Sequence, residues 1–357
     1  MGVKTALISQ RQQKETQICD KQFETYLPAK STNPKLMNGK QLRIIFMGTP
    51  EFAVASLKAL VQNGYNVVGV VTAPDRPSGR GLQLHQSDVK RFAESCGLPV
   101  LQPEKLKDEN FLQELKSLQA DLQIIVAFRM LPEVVWKMAP LGAFNLHGSL
   151  LPRYRGAAPL NWAIINGDHE TGVTTFLLKQ EIDTGNILFQ EEIQIGPEET
   201  LGELHHKLMV VGANLVIKTV DALADDNVKP FPQSSLKIDP ERLHAPKIFK
   251  QTCKIDWYKP VITINNLVRG LSPYPAAWTS FKGNGSEMGV KIFKASVETI
   301  SHNCQPGEII SDNKTYLKIA CSDGFLHIRD LQLAGKKRLD IDPFLRGFPI
   351  VTNYKAL

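Results

Sequence analysis

The densest group of side chains able to do chemistry follows a short apolar run at residues 141–144. It begins with Asn145, His147 and Ser149. Asn145 and His147 are two apart, so on an extended segment their side chains point to the same face. An amide donor and a titratable imidazole can then converge on one reacting atom, as general acid–base catalysis requires. Polar groups at the carboxyl end of a strand are also the usual site of an open α/β sheet.

A hydrogen-bonded core histidine in a turn is the alternative interpretation for His147. It would be preferred if the histidine stood alone. The neighbouring Asn145, the adjacent Gly148 and the later segment Glu181-Ile182-Asp183-Thr184-Gly185 favour a catalytic site instead. The segment adds a carboxylate that could act together with the imidazole.

Alternating strand and helix patterns must position these residues. Thr200 and Glu203 form a capping box for a long helix that keeps apolar spacing to Leu223. Repeated β-then-α units predict a mostly parallel, doubly wound sheet. The predicted strands of this sheet are 42–47, 66–72, 121–128, the run ending at 144, 172–179 and 187–195.

The first predicted βαβ unit has no GxGxxG motif, which argues against a dinucleotide-binding dehydrogenase. The second strand is followed by a Gly- and Pro-rich loop, residues 73–84, which carries Arg76 and Arg80. These arginines could reach a phosphate backbone, and they could equally be solvated.

The rear of the chain has a different organisation. Residues 229–246 are Pro-rich and predict a linker. A short helix at 265–270 and several evenly spaced short strands follow, which predicts a small OB-like β-barrel. Those strands are 286–295, 307–310, 316–320 and 325–333. At the other end, residues 1–41 show no apolar period and predict a disordered extension, in which Met37 is a plausible alternative start.

Charge divides unevenly between these regions. Residues 42–243 hold 19 basic and 24 acidic side chains, whereas residues 244–357 hold 16 and 9. A basic rear region suggests a polyanionic partner, and a merely solvated surface is an equal alternative on charge alone. The five cysteines show no CxxC or metal-ligand spacing, which is typical of reduced thiols in a cytosolic protein. No apolar run approaches the roughly 20 residues of a membrane span.

With these residues assembled, the chain resembles the methionyl-tRNA formyltransferase family from near residue 42 to its end. The main resemblance is the run NLHGSLLPRYRGAAP from Asn145 to Pro159, followed by IDTG at 182–185. Both are specific to enzymes that transfer a formyl group from 10-formyltetrahydrofolate. Four stretches resemble the methionyl-tRNA branch: 46–52 (FMGTPEF), 255–257 (IDW), 271–278 (LSPYPAAW) and 333–337 (LAGKK).

The resemblance implies a Rossmann-like catalytic domain at 42–228, a linker at 229–246 and an OB-like tRNA-binding domain at 247–350. It implies a catalytic set of Asn145, His147 and Asp183. Asn145 would donate to the oxyanion, and His147 would add a second donor or take the amine's proton. Asp183 would orient or charge His147 and relay the proton. Whether His147 or Asp183 moves the proton stays open.

The resemblance also implies the binding residues. Folate is expected as a cosubstrate without a metal, and the initiator methionyl-tRNA as the partner. No membrane or obligate protein partner is expected, and the location is cytoplasmic. The folate contacts fall on Ser149, Leu150, Leu151 and Pro152. The tRNA contacts fall on Arg76, Arg80, Lys336, Lys337 and Arg338.

Two segments depart from the family pattern. Arg129 stands where the family often has glycine beside the folate ring. Leu82-Gln83-Leu84 follows Arg80-Gly81 where extra lysines are common, which leaves acceptor-stem contacts to Arg76, Arg80 and the rear domain. Two rival functions are a formyltransferase for a small amine and a non-catalytic RNA-binding protein. The basic rear domain argues against the first, and the intact Asn145, His147 and Asp183 set argues against the second.

Overall fold

The computed structural model describes residues 38–78, 83–237, 239–283, 285–348 and 354–357. The α-helices are α1 Glu51–Gln62, α2 Asp88–Ser95, α3 Glu109–Ser117, α4 Glu133–Trp136, α5 Pro159–Ile165, α6 Leu201–Ala224, α7 Val261–Gly270 and α8 Ile341–Gly347. The strands are β1 Ile44–Gly48, β2 Val67–Val71, β3 Arg76–Ser78, β4 Gln83–His85, β5 Val100–Leu101, β6 Leu122–Val126, β7 Ala143–His147, β8 Arg155–Gly156, β9 Glu170–Leu177, β10 Ile187–Gln194, β11 His244–Ala245, β12 Ala277–Gly283, β13 Ser286–Thr299, β14 Ile309–Ser311, β15 Leu317–Ala320, β16 Gly324–Leu333, β17 Arg338–Asp340 and β18 Lys355–Ala356.

The large sheet has the strand order β10-β9-β7-β6-β1-β2-β5. Strand β1 pairs in parallel with β2 and with β6, and β6 pairs in parallel with β7. The order runs outward from β1 to β5 and then returns to β6 on the other side of β1. This is the predicted doubly wound, mostly parallel sheet, which is confirmed. Every residue of β1 and β6 is buried, as expected for parallel strands covered on both faces.

The described residues divide into two compact units. The first comprises 38–146, 175–180 and 216–230. Its core packs Ile45, Met47 and Ile125 of the sheet against Leu115 of α3. The predicted disordered extension reaches residue 41, but residues Gly39–Gln41 form a 3₁₀ helix, which corrects that boundary.

Close packing explains why the 3₁₀ helix at Gly39–Gln41 is held. Gly39 is buried, and a Cβ atom at this position would lie 2.4 Å from Oδ1 of Asp221. The same oxygen accepts a hydrogen bond of 2.7 Å from the Tyr65 hydroxyl. Residues 1–37, including Met37, lie outside the described part of the chain.

The second unit comprises 147–174, 181–215 and 231–357. It contains a sheet with the order β14-β15-β16-β13-β12-β18, in which β17 also pairs with β16. A bridge between Glu308 and Lys355 joins the two ends of this order, and the Ala356 N–H donates to the Gly307 carbonyl at 2.8 Å. The sheet is therefore a nearly closed barrel, as predicted. Val261, Ile264 and Val268 of α7 pack on its core.

Two segments contain more structure than predicted. The predicted loop 73–84 overlaps two paired antiparallel strands, β3 and β4, in which Arg76 pairs with His85. The predicted linker 229–246 contains 3₁₀ helices at Gln233–Ser235 and Pro240–Arg242 and strand β11. Neither segment shows apolar alternation in its sequence. Backbone hydrogen bonds and specific side-chain contacts hold both segments, so the sequence pattern does not predict their structure. Within the described ranges, no helix is both long and apolar enough to cross a membrane.

Candidate functional site

Asn145 and His147 lie on β7, the strand that the sequence predicts to end in the site. Asn145 stands opposite Ile125 in the parallel register with β6, and His147 is the last residue of the strand. Asn145 is partly buried and His147 is 6% exposed. One residue, the buried Leu146, separates them. Strand alternation therefore gives their side chains the same face, as predicted. The predicted strand end at residue 144 is wrong, because β7 continues to His147, so that Asn145 lies in the middle of the strand and His147 at its carboxyl end.

The His147 ring has a defined proton position. Its Nε2 lies 2.8 Å from the carbonyl oxygen of Tyr154. A carbonyl oxygen can only accept, so Nε2 carries the hydrogen. In the neutral ring the unprotonated nitrogen is then Nδ1, which lies 3.9 Å from Oδ2 of Asp183. The Asp183 carboxylate therefore lies on the Nδ1 side of the His147 ring.

Asp183 lies in the turn between β9 and β10 and has an uncommon backbone conformation. Its φ is +53°, in the left-handed region that residues other than glycine rarely adopt. Its Oδ2 accepts a hydrogen bond of 2.9 Å from the Gly156 N–H. The structure thus brings the predicted Asp183 beside His147 across 36 residues of sequence, and it ties the carboxylate to β8.

Gly156 is required at this point of β8. Its φ is +120°, and a Cβ atom there would lie 2.8 Å from the carbonyl oxygen of Ala245. Strand β8 pairs in parallel with β11, in the register His244 with Arg155 and Ala245 with Gly156. Only glycine allows this close approach. The approach fixes the position of the Gly156 N–H, which donates to the Asp183 carboxylate.

Asp168 anchors the loop that carries Tyr154, and the sequence analysis missed it. Its carboxylate is almost fully buried. It accepts hydrogen bonds from Arg153 Nη2 at 2.5 Å, the Tyr154 hydroxyl at 2.7 Å and Arg242 Nε at 2.8 Å. Burial and the Asp168 contact raise the pKa of Tyr154, and the same carboxylate raises the pKa of Arg242. These bonds fix the residue whose carbonyl holds His147.

Gln233, from the predicted linker, contacts the turn that carries Asp183. Its Nε2 donates to the carbonyl oxygens of Asp183 and Gly185, each at 2.9 Å. Its Oε1 accepts from Arg155 Nε at 3.0 Å and Nη2 at 2.7 Å. Burial lowers the pKa of Arg155, while Asp183 and Glu181 act to raise it. No sequence pattern marks Gln233, because it acts on residues about 50 positions away.

Hydrogen bonds of Ser149 and Thr174 hold the predicted folate loop in one conformation. The Ser149 hydroxyl is fully buried and donates to the Arg153 carbonyl at 2.5 Å. The hydroxyl of Thr174 donates to the Ser149 carbonyl at 2.6 Å and accepts from the Leu151 N–H at 3.1 Å. The Leu151–Pro152 peptide is cis, and both residues are buried, whereas Leu150 is partly exposed. The loop therefore has a fixed backbone, with most of its side chains turned inward.

Arg129, the departure from the family pattern, is engaged within its own unit. Its guanidinium donates to the carbonyl oxygens of Glu104 at 3.0 Å and of Pro103. It also lies over the Phe128 ring, 5.7 Å from the centroid. These contacts connect the end of β6 to the segment after β5.

The predicted tRNA contacts fall in three places. Arg76 is exposed on strand β3, and Arg80 lies outside the described residues. Lys336 and Lys337 are exposed in the turn between β16 and β17. Arg338, at the start of β17, differs from these lysines because its guanidinium forms a bidentate ion pair with Asp330. Its Cζ also lies 4.2 Å from the centre of the Phe293 ring. Arg338 is thus partly committed to the barrel.

A second group of basic residues surrounds Trp278 on β12, and the sequence analysis did not single it out as a surface. Lys250 Nζ lies 5.5 Å and Lys254 Nζ 5.8 Å from the centre of the indole ring. Lys291 stands opposite Trp278 in the register of β12 and β13. All three lysines are exposed, and Trp278 is partly exposed. A partly exposed aromatic ring among lysines is an arrangement that can bind nucleic acid.

No group of three or more His, Cys, Asp or Glu residues in the described ranges is arranged to hold a metal ion. The titratable groups of the candidate site are His147 and Asp183, with Arg155 close to them.

Two family models match the chain. The formyl transferase model matches residues 42–220, and the model of the formyl transferase C-terminal domain matches residues 247–349. The two matches leave residues 221–246 between them, which includes the segment that contributes Gln233 and Arg242.

Close relatives carry one common name. The methionyl-tRNA formyltransferase of Parabacteroides distasonis is 57% identical over 321 residues, which cover 89% of this chain and 99% of that protein. Those of Bacteroides fragilis and Flavobacterium johnsoniae are 54% and 51% identical, each over 89% of this chain and 99% of their own length.

Solved structures share the fold at lower identity. An N-formyltransferase from Helicobacter canadensis, in complex with folinic acid and dTDP-3-aminofucose, is 21% identical with a TM-score of 0.60 over 84% of this chain and 100% of that one. HypX from Aquifex aeolicus, in complex with tetrahydrofolic acid, is 19% identical with a TM-score of 0.57 over 85% of this chain and 47% of that one. At such identity the likeness concerns the fold alone. The identity to the curated relatives over nearly their whole length decides the question, and the chain belongs to the methionyl-tRNA formyltransferase family.

Proposed function

We propose that this protein transfers the formyl group of 10-formyltetrahydrofolate to the α-amino group of methionyl initiator tRNA. The product, N-formylmethionyl-tRNA, serves translation initiation. The observation that carries the proposal is the 57% identity to a methionyl-tRNA formyltransferase over 89% of the chain. The pairing of His147 with Asp183 supports it, because formyl transfer to an amine needs a proton acceptor beside the reacting nitrogen.

The proposed catalytic roles are supported by the positions of Asn145 and His147 on β7 and of Asp183 in the turn after β9. Asn145 donates its amide N–H to the negative charge that develops on the formyl oxygen, an effect of roughly 3–4 kcal/mol for comparable donors. His147 takes the proton of the attacking amine at Nδ1, since its Nε2 donates to the Tyr154 carbonyl. Asp183 stabilises the imidazolium that results. The proposal thus gives the proton transfer to His147 and a stabilising role to Asp183.

The cosubstrate is bound, consumed and released. We assign its contacts to the loop Ser149–Pro152, at which Leu150 offers a partly exposed side chain. The buried hydroxyl of Ser149 is already donated to Arg153. The Ser149 carbonyl and the Leu151 N–H are likewise bonded to Thr174. We therefore assign the folate contact of this loop mainly to the Leu150 side chain, which a rigid loop presents without reorganisation when the ligand binds.

The polyanionic partner is assigned to the rear, basic part of the chain. Residues 244–357 hold 16 basic and 9 acidic side chains. We place phosphate contacts on Lys336 and Lys337, with Arg76 and Arg80 at the acceptor end of the tRNA. Lys250 and Lys254, which lie over the Trp278 ring, are further candidates for phosphate contacts. Arg338 contributes less, because Asp330 neutralises it.

The proposed organisation keeps the predicted domains. They are a catalytic domain at 42–228, a linker at 229–246 and a tRNA-binding domain at 247–350, in a cytoplasmic enzyme. The matched family ranges, 42–220 and 247–349, support these limits. No obligate protein partner is part of the proposal.

An acceptor comparison tests the proposal. The purified protein is supplied with 10-formyltetrahydrofolate and, in parallel, methionyl initiator tRNA, free methionine, glycinamide ribonucleotide or a nucleotide-linked amino sugar. We expect formyl transfer to the charged tRNA, with the small amines slower by orders of magnitude. Faster transfer to a small amine would support the rival formyltransferase. Tight tRNA binding with no transfer to any acceptor would support the non-catalytic rival.

A further inference from the structure

Gln233 lies in the segment predicted as a linker, yet its side chain is 3% exposed and makes four hydrogen bonds. Two donors on Nε2 and two acceptor sites on Oε1 are the full capacity of a primary amide. The orientation is also unambiguous, since a flipped amide would place Oε1 against two carbonyl oxygens. A surface tether has no need for such a fully bonded residue.

The donors of Gln233 act on the turn that presents Asp183. They bind the carbonyl oxygen of Asp183 itself and that of Gly185, two residues later. Asp183 has a φ of +53°, a conformation that costs a non-glycine residue of order 1 kcal/mol and persists only when its surroundings impose it. Gln233 bonds to the carbonyls on both sides of Thr184 and so restrains this turn.

The acceptor of Gln233 acts on Arg155. The guanidinium donates twice to Oε1, and Arg155 precedes Gly156, whose N–H binds the Asp183 carboxylate. One amide therefore joins the backbone of the Asp183 turn to the strand that holds the Asp183 side chain.

We infer that Gln233 is a positioning residue of the reaction, which sets the place of Asp183 relative to His147. This inference rests on the proposed function. The imidazole and the carboxylate are 3.9 Å apart, so a displacement of the turn changes the energy of their interaction and the direction in which the carboxylate faces the ring. Misplacement of about 1 Å can cost 100-fold in rate even when the altered residue does not touch the reacting atoms.

Two substitutions separate the two sides of the amide. Gln233→Glu keeps the size and an oxygen for Arg155, but places a second oxygen against the carbonyls of Asp183 and Gly185. Gln233→Leu removes all four bonds. Ser234→Ala, an exposed neighbour in the same 3₁₀ helix, is the matched control. We expect both Gln233 variants to lower kcat by roughly 10- to 100-fold, with KM for tRNA and folate within twofold of wild type. A Gln233→Glu enzyme with near-normal kcat would overturn the inference.

A double-mutant cycle tells positioning from general destabilisation. If Gln233 acts through Asp183, Gln233→Leu should cause little further loss of kcat in an Asp183→Ala enzyme. A loss of equal size in both backgrounds would mean that Gln233 acts on the fold in general, and the inference would be wrong.

A readout without activity keeps this inference separate from the proposed function. Hydrogen exchange measured by mass spectrometry follows the peptide that contains residues 181–187. We expect exchange there to be at least about 10-fold faster in Gln233→Leu and unchanged in Ser234→Ala. Unchanged exchange in the Gln233 variants would refute the positioning role. If wild type transfers no formyl group at all, the proposed function fails, whereas the exchange result still decides whether Gln233 holds the Asp183 turn.

Discussion

His147 Nε2 donates to the carbonyl oxygen of Tyr154 at 2.8 Å, and this bond makes Nε2 the protonated nitrogen of the neutral ring. Because the acceptor is a backbone group, the ring position depends on where the loop lies rather than on the Tyr154 side chain. The hydroxyl of Tyr154 secures that loop by donating to Asp168 at 2.7 Å. Backbone contact and side-chain anchor are thus separate and can be altered separately.

Tyr154→Phe should keep the His147 contact and lose the anchor. We expect a loss of about 1–2 kcal/mol of unfolding free energy, measured by urea denaturation, and a kcat within a few-fold of wild type. Asp168→Ala removes the shared acceptor of Tyr154, Arg153 and Arg242, so we expect a larger loss of about 2–4 kcal/mol.

Glu170→Ala provides the matched control for Asp168, because it removes the other carboxylate near Arg153. Glu170 lies 3.6 Å from the Arg153 guanidinium and its side chain is 47% exposed. Exposed pairs of this kind contribute about 0–1 kcal/mol. An Asp168→Ala protein that is no less stable than Glu170→Ala would contradict the anchoring role.

The turn between β16 and β17 should contribute to tRNA binding through its lysines. Replacing Lys336 and Lys337 together by Ala should weaken binding and flatten the slope of log affinity against log salt by roughly one to two units. Arg338→Ala should change the slope less, because Arg338 is paired with Asp330. Filter binding over a series of salt concentrations measures both. A slope that the double variant leaves unchanged would exclude these lysines from the contact.

Residues 38–41 should matter for stability, whereas the sequence before Met37 should not. Gly39 packs against Asp221 and Tyr65, but the first 36 residues carry no apolar period. A chain beginning at Met37 should melt at the temperature of the full chain. One beginning at Leu42 should melt several degrees lower, since it loses these contacts. Equal melting of the two shortened chains would show that the 3₁₀ helix contributes nothing.

The cysteines should differ in reactivity with pH. Cys96 is exposed, whereas Cys321 is buried, and burial raises the pKa of its thiol to about 12. The thiolate is the reactive form, so at pH 8 iodoacetamide should label Cys96 and spare Cys321. In the unfolded chain Cys321 should react, because its pKa returns to about 8.5. Above about pH 8.5 the unfolded chain loses the Cys321 proton while the folded protein keeps it. The free energy of unfolding should therefore fall as the pH rises above that value. Labelling of Cys321 at the rate of Cys96 in the folded protein would contradict this.

Local sequence patterns predict those parts of the fold and of the site that depend on residues close together in the chain. Buried runs such as 44–48 and 122–126 predict parallel strands, and the spacing of Asn145 and His147 predicts a shared face. Even spacing of short strands predicts the barrel. Each of these features depends on a period of two residues or on the order of elements.

Contacts between distant segments could not be predicted in this way. Asp168, Gln233 and Arg242 have no local signature, because their roles come from bonds to loops that folding brings near. The ion pair of Arg338 with Asp330 depends on a strand register that composition does not specify. No apolar pattern predicts strands β3 and β4, because their pairing depends on backbone hydrogen bonds.

The most direct measurement is single-turnover formylation of methionyl initiator tRNA by wild type, Asn145→Ala and His147→Ala, with tRNA affinity determined on the same preparations. Wild type should form N-formylmethionyl-tRNA. Each variant should lose at least about 100-fold in rate, because each removes a group that acts on the transition state, while tRNA affinity stays within twofold. A wild-type protein that forms no formylated tRNA, or a variant with near-normal turnover, would contradict the assignment of the reaction to this site.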